Sequence, residues 1–502
     1  MLRDIVQPDS RMYYKKSLRR CLCLCGTSIF LVVFGIVIIS IRTIVFNYIL
    51  SMLATMQPNS ITYNLWKENP VPLTLKLYLF NWTNAHDLNN HTIKPRFKEL
   101  GPYIFDETKV KTNITWNAND TVSFYHLKTW WFNSKQSKGS LDDQVTTVNP
   151  IALSTASSSM KWSYWFKKAL SFTLTSVSAK IYGTHSAGEL LFEGHEDPLL
   201  NMANNLPAVM APSMPNLDKF GWFYGRNHSM TYEGLFNMGL GKTTKLGELY
   251  SWKTMNQTPY YSDHCGNIKG SDGDFFPSGL NKESIITFFS PDMCRYIDLE
   301  FEKEVNIKGI MGLKYSAGRK FLDNGTTVPE NDCFCQKDCM PSGALDISAC
   351  RYGSPAYVSL PHFHKADRFY TDSIEGLKSE DDLHDFFMVF EPTTGIPLEV
   401  AARLQLNLML KPVTGVSLYE KVPEVYIPVL WFEQVITLPD NFIFSIKAFL
   451  SLDILFLIIG AVSILVGIAL QLYGCYKLWK RKLFKIESII TREEVPLTLK
   501  KI

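Results

Sequence analysis

Charge of one sign is the first thing this sequence lacks. Lys and Arg number 51 against 48 Asp and Glu, a net charge of +3. Nucleic-acid binders usually carry a basic face or stripe, so that partner class is set aside. Internal repeats and low-complexity tracts are missing as well, which removes repeat architectures.

Catalytic signatures are equally scarce. Gly241-Lys242-Thr243 looks like the end of a phosphate loop, but Phe236 stands where the leading glycine belongs. His195-Glu196 opens like a zinc-protease helix, yet Leu199 replaces the second His and Pro198 would break the helix. No Gly-x-Ser-x-Gly is present. His362 and His364 would share one face of an extended segment without a third metal ligand. The residues point away from an enzyme and name no cofactor or metal.

What is present begins at the ends. The first 20 residues carry six basic side chains (Arg3, Arg11, Lys15, Lys16, Arg19, Arg20) against Asp4 and Asp9, and Cys21–Ile41 then runs 21 residues without a charge. That length crosses a hydrocarbon core of about 30 Å as a helix. A cleaved signal peptide would have an apolar region of about 7–15 residues, so a retained anchor is expected. A second apolar run, Ile454–Tyr473, is followed by Lys477, Lys480, Arg481, Lys482 and Lys485. Basic flanks outside both runs place both termini in the cytosol. The expected layout is a tail over 1–20, an anchor over 21–45, an extracellular or lumenal domain over 46–445, an anchor over 452–474 and a tail over 475–502. All the Asn-x-Ser/Thr sequons (Asn81, Asn90, Asn113, Asn119, Asn227, Asn256, Asn324) fall in the outside domain. Cys21, Cys23, Cys25 and Cys475 lie at the cytosolic mouths of the anchors, where S-palmitoylation occurs.

Inside the large domain, Leu73–Leu79 and Val122–Tyr125 read as strands, with Gly101-Pro102-Tyr103 as a break. Phe275-Phe276-Pro277 and Ile285–Phe289 read as buried strands, and Glu391–Leu410 ends in an apolar run. Over 151–182 the pattern turns helical, with Trp162, Trp165, Phe166, Ala169 and Leu170 on one arc and Lys161, Lys167 and Lys168 on the rest. Two readings stand for that arc: a buried aromatic stripe, or an exposed aromatic-cationic cap that meets anionic or lipidic partners. Many short strands with turn punctuation suggest a large sheet-based or barrel domain with inserted helices.

Six cysteines (Cys265, Cys294, Cys333, Cys335, Cys339, Cys350) cluster over 265–350. An even number of thiols this close in an oxidising compartment pair as disulfides, with a zinc site as the alternative. Six cysteines allow 15 connectivities, and spacing does not choose among them.

These residues together resemble the class B scavenger receptors, the family of fatty acid translocase, the high-density lipoprotein receptor and lysosomal integral membrane protein type 2. The likeness rests on the two-anchor layout, the 29-residue step from Cys265 to Cys294, the Cys-Phe-Cys at 333–335, and Ala344–Cys350 followed by Ser359–Phe363. Gly101-Pro102-Tyr103, Glu189-Leu190-Leu191 with Asp197-Pro198, Asp292–Arg295, and Glu391-Pro392 through Gly395 to Arg403–Asn407 extend it over about residues 60–440.

The resemblance implies a membrane-anchored α+β protein: an antiparallel β-barrel ectodomain with an apical helical bundle and an apolar tunnel, flanked by two transmembrane helices. It implies a receptor that is not an enzyme. Such a receptor binds lipoproteins, modified lipids or apoptotic cells and passes fatty acids or sterols to the membrane. By position, Lys161, Trp162, Trp165, Phe166, Lys167 and Lys168 resemble part of the ligand-binding apex. The implied pairing is Cys265–Cys333, Cys294–Cys350 and Cys335–Cys339; the first closes a loop of about 70 residues, worth on the order of 4 kcal/mol. The Cys335–Cys339 loop is shorter than in fatty acid translocase. The lysine at that protein's tunnel entrance is replaced by serine near Ser176–Ser178, and Lys180 is the nearest substitute.

The tail stretch Glu493-Glu494-Val495-Pro496-Leu497-Thr498 resembles an acidic dileucine sorting signal, with Thr498 in the place of the second aliphatic residue. The expected partners are lipids and lipoproteins, with a lumenal or extracellular protein ligand and a homo-oligomer left open. The expected location is the plasma membrane, the alternative a lysosomal or endosomal membrane with a sorting role. A two-anchor ligand-gated channel is the reading from another class; it calls for polar or Gly-rich lining in the anchors, whereas the first is almost wholly apolar.

Overall fold

The computed structural model describes residues 9–90, 92–204, 217–318, 320–335 and 339–493. Arg3, Glu494 and Leu497, together with the side chains of Arg11, Lys15, Lys16, Cys21, Lys485 and Glu493, lie outside the described residues. The chain divides into two compact units, Leu53–Ile443 and the two terminal helical segments.

The terminal unit is built on helices Asp9–Leu53 and Asp440–Glu493. Their stretches Leu22–Leu53 and Asp440–Phe484 are long and apolar enough to cross a membrane. Small residues bring the two backbones together. A Cβ on Gly35 would stand 2.5 Å from the Gly460 carbonyl oxygen, the close approach that small residues permit between membrane helices. Ser28 hydrogen-bonds Gln471, Arg42 faces Asp453 at 3.6 Å, and Phe46 stacks on Phe449.

The larger unit is a sheet. Its strands are β1 (Leu73–Trp82), β2 (Phe97–Asn117), β3 (Thr121–Phe132), β4 (Gln144–Val148), β5 (Tyr182–Ser186), β6 (Phe236–Gly239), β7 (Leu249–Trp252), β8 (Ile286–Ser290), β9 (Arg295–Ile307), β10 (Ile310–Ser316), β11 (Ala344–Asp346), β12 (Ala356–Ser359), β13 (Phe387–Phe390), β14 (Pro397–Leu410) and β15 (Val425–Thr437). A 13-stranded sheet runs β7-β6-β3-β2-β1-β15-β14-β13-β10-β9-β8, with β12 joining β14 and β11 joining β12; β4 and β5 pair separately. The strand pairs are antiparallel throughout. β1 shows why: Leu73, Leu75, Leu77 and Leu79 are buried at every second position, the period of a pleated strand.

The two edges of this sheet are stitched together by Gly270 and Ser271. Leu249 of β7 donates to Gly270 O, while Ser271 N donates to Thr287 O and Phe289 N to Ser271 O in β8. Gly270 has φ +82°, and a Cβ there would lie 2.5 Å from Thr287 O. Only glycine takes that conformation and approach without strain. The sheet is thereby nearly closed.

Two local expectations are corrected. Gly101-Pro102 does not break the chain; it sits inside β2 as a bulge, with the register against β1 shifting between Leu77 and Leu79. A bulge accommodates both a positive-φ glycine and a proline without its N–H. Phe275-Phe276-Pro277 is not a strand but irregular chain, although Phe276 is buried against Phe390. Apolar content alone reported burial there, not pairing.

The helical expectation over 151–182 resolves into two helices between β4 and β5. Asn149 caps the first, Pro150–Ser158, by accepting from the Ile151 and Ala152 amides, with Pro150 in the first turn. The extended backbone at Trp162 and Ser163 separates it from the second, Tyr164–Ser176. Three disulfides join Cys265–Cys333, Cys294–Cys350 and Cys335–Cys339, the same pairs that the family resemblance implies. Cys23, Cys25 and Cys475 are free thiols.

Candidate functional site

Two features of the larger unit can meet a ligand: the helix Tyr164–Ser176 and a cavity against the sheet. The helix shows solvent the face that an amphipathic pattern usually hides. Trp165 is 79% exposed and Phe172 76%, and Trp162, Tyr164 and Phe166 are exposed too. Only Ser171 and Leu174 of this helix are buried, so the buried-stripe reading is overturned. The helix has no acidic residue, and Lys161, Lys167 and Lys168 frame the aromatics. Lys168 Nζ lies 5.6 Å from the Tyr164 ring centroid, in cation–π range. Tyr164 and Phe172 were missed in the sequence; Phe172 follows Trp165 by two turns, the spacing that could have found it. Lys180 is exposed just before β5.

The cavity has a volume of about 150 Å³. Its wall is the inward face of β3, β2, β1, β15 and β14, through Lys128, Glu107, Leu75, Phe432 and Leu404, and it is covered by Trp222, Phe223, Asp292 and Arg351. Apolar and charged groups share the lining. The charged ones are mostly matched: Lys128 meets Glu233 at 2.5 Å, and Arg226 and Arg351 both meet Asp292, at 3.0 and 2.9 Å. Burial works to raise the Glu233 carboxyl, but Lys128 and His126 outweigh it and hold it well below its usual range. Asp292 is likewise lowered, by the two guanidinium groups against burial. Burial works to lower Lys128, and Glu233 and Glu107 override it and raise it.

Next to the cavity, whose lining His126 joins, His126, Asp272 and Asp274 approach as a metal site would. Lys109 and Lys111 already meet Asp274, at 3.1 and 2.5 Å, and His126 faces Asp272 at 3.4 Å, so both carboxylates already have partners from the chain. His264, Cys265 and Cys333 also cluster, but both sulfurs are spent in their disulfide. His362 and His364 do not share a face. His362 turns at φ +53° and bonds Glu99 at 2.6 Å, whereas His364 faces Asp381 at 3.6 Å. The Gly241-Lys242-Thr243 turn has its amides engaged as well: Lys242, Thr243 and Thr244 donate to Asp120 Oδ2. A carboxylate of the chain fills the nest that a phosphate would need.

The sequons divide by geometry. Asn90, Asn113, Asn119 and Asn256 are exposed. Asn81 accepts from the Thr146 amide, Asn227 brackets Trp130 through both N–H and C=O, and Asn324 is buried with Nδ2 donating to Met340 O. Asn324 thus differs from the four exposed sequons in having its Nδ2 engaged and its side chain buried.

Comparison with known proteins follows this geometry. The sequence model of the CD36 family matches residues 26–478. Protein peste of Drosophila melanogaster is 37% identical over 390 residues, 76% of this chain and 68% of that protein. Scavenger receptor class B member 1 of Sus scrofa is 30% identical over 438 residues, 84% of each chain. Lysosome membrane protein 2 of Mus musculus is 28% identical over 384 residues, 76% of this chain and 78% of that protein.

Proposed function

The chain belongs to the CD36 family, and from that membership we propose that it is a two-anchor receptor for lipids and lipoproteins. It captures modified lipid, lipoprotein or apoptotic-cell surfaces on the helix Tyr164–Ser176. It passes fatty acids or sterols through the barrel interior toward the bilayer. In this reading both termini are cytosolic, the sheet unit is extracellular or lumenal, and no catalysis is involved.

The observation that carries it is the exposure of Trp165, Phe166 and Phe172 on a helix whose charges are all positive. A soluble protein does not hold such a patch in water without a partner to meet it. Aromatic rings suit the boundary of a lipid surface, and lysines suit its phosphates. The test is uptake of labelled lipoprotein or fatty acid by cells expressing the chain, against cells expressing a Trp165→Ser, Phe166→Ser, Phe172→Ser variant. No loss in the variant would overturn the role given to the helix.

A second reading, a sorting receptor of the lysosomal or endosomal membrane, draws on the likeness to Lysosome membrane protein 2. Localisation with and without Leu497→Ala separates the two. Surface residence unchanged by the substitution counts against sorting.

A further inference from the structure

Three buried histidines, His362, His364 and His384, gather beside β2 and β15. His362, Phe363 and Lys365 all have positive φ, a conformation that residues with a side chain rarely take, and Gln405 Oε1 fixes the turn by accepting from the His362 amide at 2.7 Å. His362 and His384 stack with ring centroids 4.4 Å apart, and the Trp431 indole stands at right angles to His384 at 5.7 Å. Both rings spend Nδ1 on the backbone of one segment. His362 Nδ1 accepts from the Lys378 amide at 3.1 Å, and His384 Nδ1 from the Glu380 amide at 2.8 Å. His362 Nε2 donates to Glu99 Oε2 at 2.6 Å. An amide can only donate, so each bond lasts only while its Nδ1 keeps a lone pair. A proton there sets N–H against N–H, and charging both rings puts two cations in one stack.

The segment so held, 377–385, has firm ends. Before it, Glu375 donates to Pro95 O and accepts from the Phe97 amide; after it, the Phe386 carbonyl accepts from the Ala317 amide. We propose that 377–385 is an acid-released strap: protonation of the stacked His362–His384 pair breaks the two amide bonds and frees the segment between its fixed ends. The neighbouring charges are arranged for this. Arg403 pairs with Glu433 at 2.6 Å and Lys365 with Asp385 at 2.8 Å, so these four largely cancel. Arg403 Nη1 also donates to the Asp382 and Asp385 carbonyls, a hold that does not titrate. Burial, then His362 and His364, oppose a proton on His384 and outweigh Glu99 and Glu380, which favour it; its pKa is pushed down to about 4. Lys378 is matched to Glu380 at 3.2 Å, and Asp381 faces His364 at 3.6 Å. Released, His384 recovers an ordinary 6.5 and takes the proton first. The latch is therefore fully present above pH about 6.5 and is lost as pH falls toward about 4. The inference holds whichever cargo the receptor carries.

The test is amide hydrogen exchange on the full-length protein in nanodiscs at about pH 7 and about pH 4, read as protection factors so that the intrinsic pH dependence of exchange divides out. Protection at the Lys378, Glu380, His384 and Asp385 amides is expected to fall about a hundredfold, the factor implied by a folded pKa of about 4 against 6.5. Amides of β1 and β15 should change by less than about tenfold, since local opening leaves the sheet intact. Asparagine in place of both histidines supplies acceptors that cannot be charged, so the double variant His362→Asn, His384→Asn should keep its protection in acid. Where the double variant does not fold, His384→Asn alone should remove most of the fall. Protection that stays flat in the unsubstituted protein, that falls equally in β1 and β15, or that still falls in the variant overturns the strap.

Discussion

Ser171 and Ser417 hold the exposed helix to the sheet unit by a reciprocal pair of hydrogen bonds. Ser171 Oγ donates to Ser417 Oγ at 3.0 Å and accepts from the Ser417 amide at 2.9 Å. Beside them Leu174 is buried and Gly415 lies under Lys167. The helix is thus fastened by a narrow seam, which Tyr164 borders at Gly415, while Trp165 and Phe172 stay 79% and 76% exposed.

Stability and ligand capture should therefore separate along this helix. Trp165→Ser is expected to change unfolding free energy by no more than about 0.5 kcal/mol, as for other surface sites, while reducing lipoprotein capture. Leu174→Ala should cost about 2–5 kcal/mol. Thermal melts paired with binding to immobilised lipoprotein check both; a Trp165→Ser protein that melts early contradicts the exposed geometry.

Glycans should follow the side chains that are exposed. Glycopeptide mass spectrometry of the secretory-pathway protein is expected to find them on Asn90, Asn113, Asn119 and Asn256 and none on Asn324. Asn324→Gln should leave the glycan count unchanged but destabilise the fold by about 1–3 kcal/mol, because the Met340 carbonyl loses its donor.

Acidification should weaken the sheet unit through its histidines. Burial, and then the neighbouring His362, push His384 down to about 4 from an ordinary 6.5. Burial lowers His185, His195 and His364 as well. A folded pKa below the unfolded one means that the unfolded chain takes up the proton first. Stability from this source is fully present above pH about 6.5 and is lost as pH falls toward about 4. Melting temperature against pH checks this, and His384→Asn should flatten the curve across that window.

Closure of the sheet should depend on one residue with no side chain. Gly270→Ala is expected to cost about 1–3 kcal/mol for the left-handed backbone alone, with the clash against Thr287 O added. Hydrogen exchange should quicken at Leu249, Ser271 and Phe289, whose amides make the stitch, before it quickens in β1 or β15. Uniform acceleration across the sheet would contradict this local role.

Local pattern made much of this fold legible in the residues. The alternating leucines of β1 declare a half-buried strand, and the uncharged terminal runs declare helices of membrane length. The aromatic arc near Trp165 could not be assigned a direction, because amphipathic spacing gives a stripe without saying which side faces the core. The cavity was invisible for a different reason. Glu107 of β2 and Gln434 of β15 are 327 positions apart and hydrogen-bond only because both strands flank β1. No window of sequence contains that encounter.

That adjacency also sets the timing of biosynthesis. β1 lies between β2 and β15, and Lys76 of β1 bonds Glu433 of β15 from 357 residues away. At about 5–20 residues per second, the ribosome delivers β15 roughly 20–70 s after β1. Throughout that interval one edge of β1, with its leucine row, waits without its partner. Its protection by chaperones, or its failure to find it, is decided before the last strand has been made.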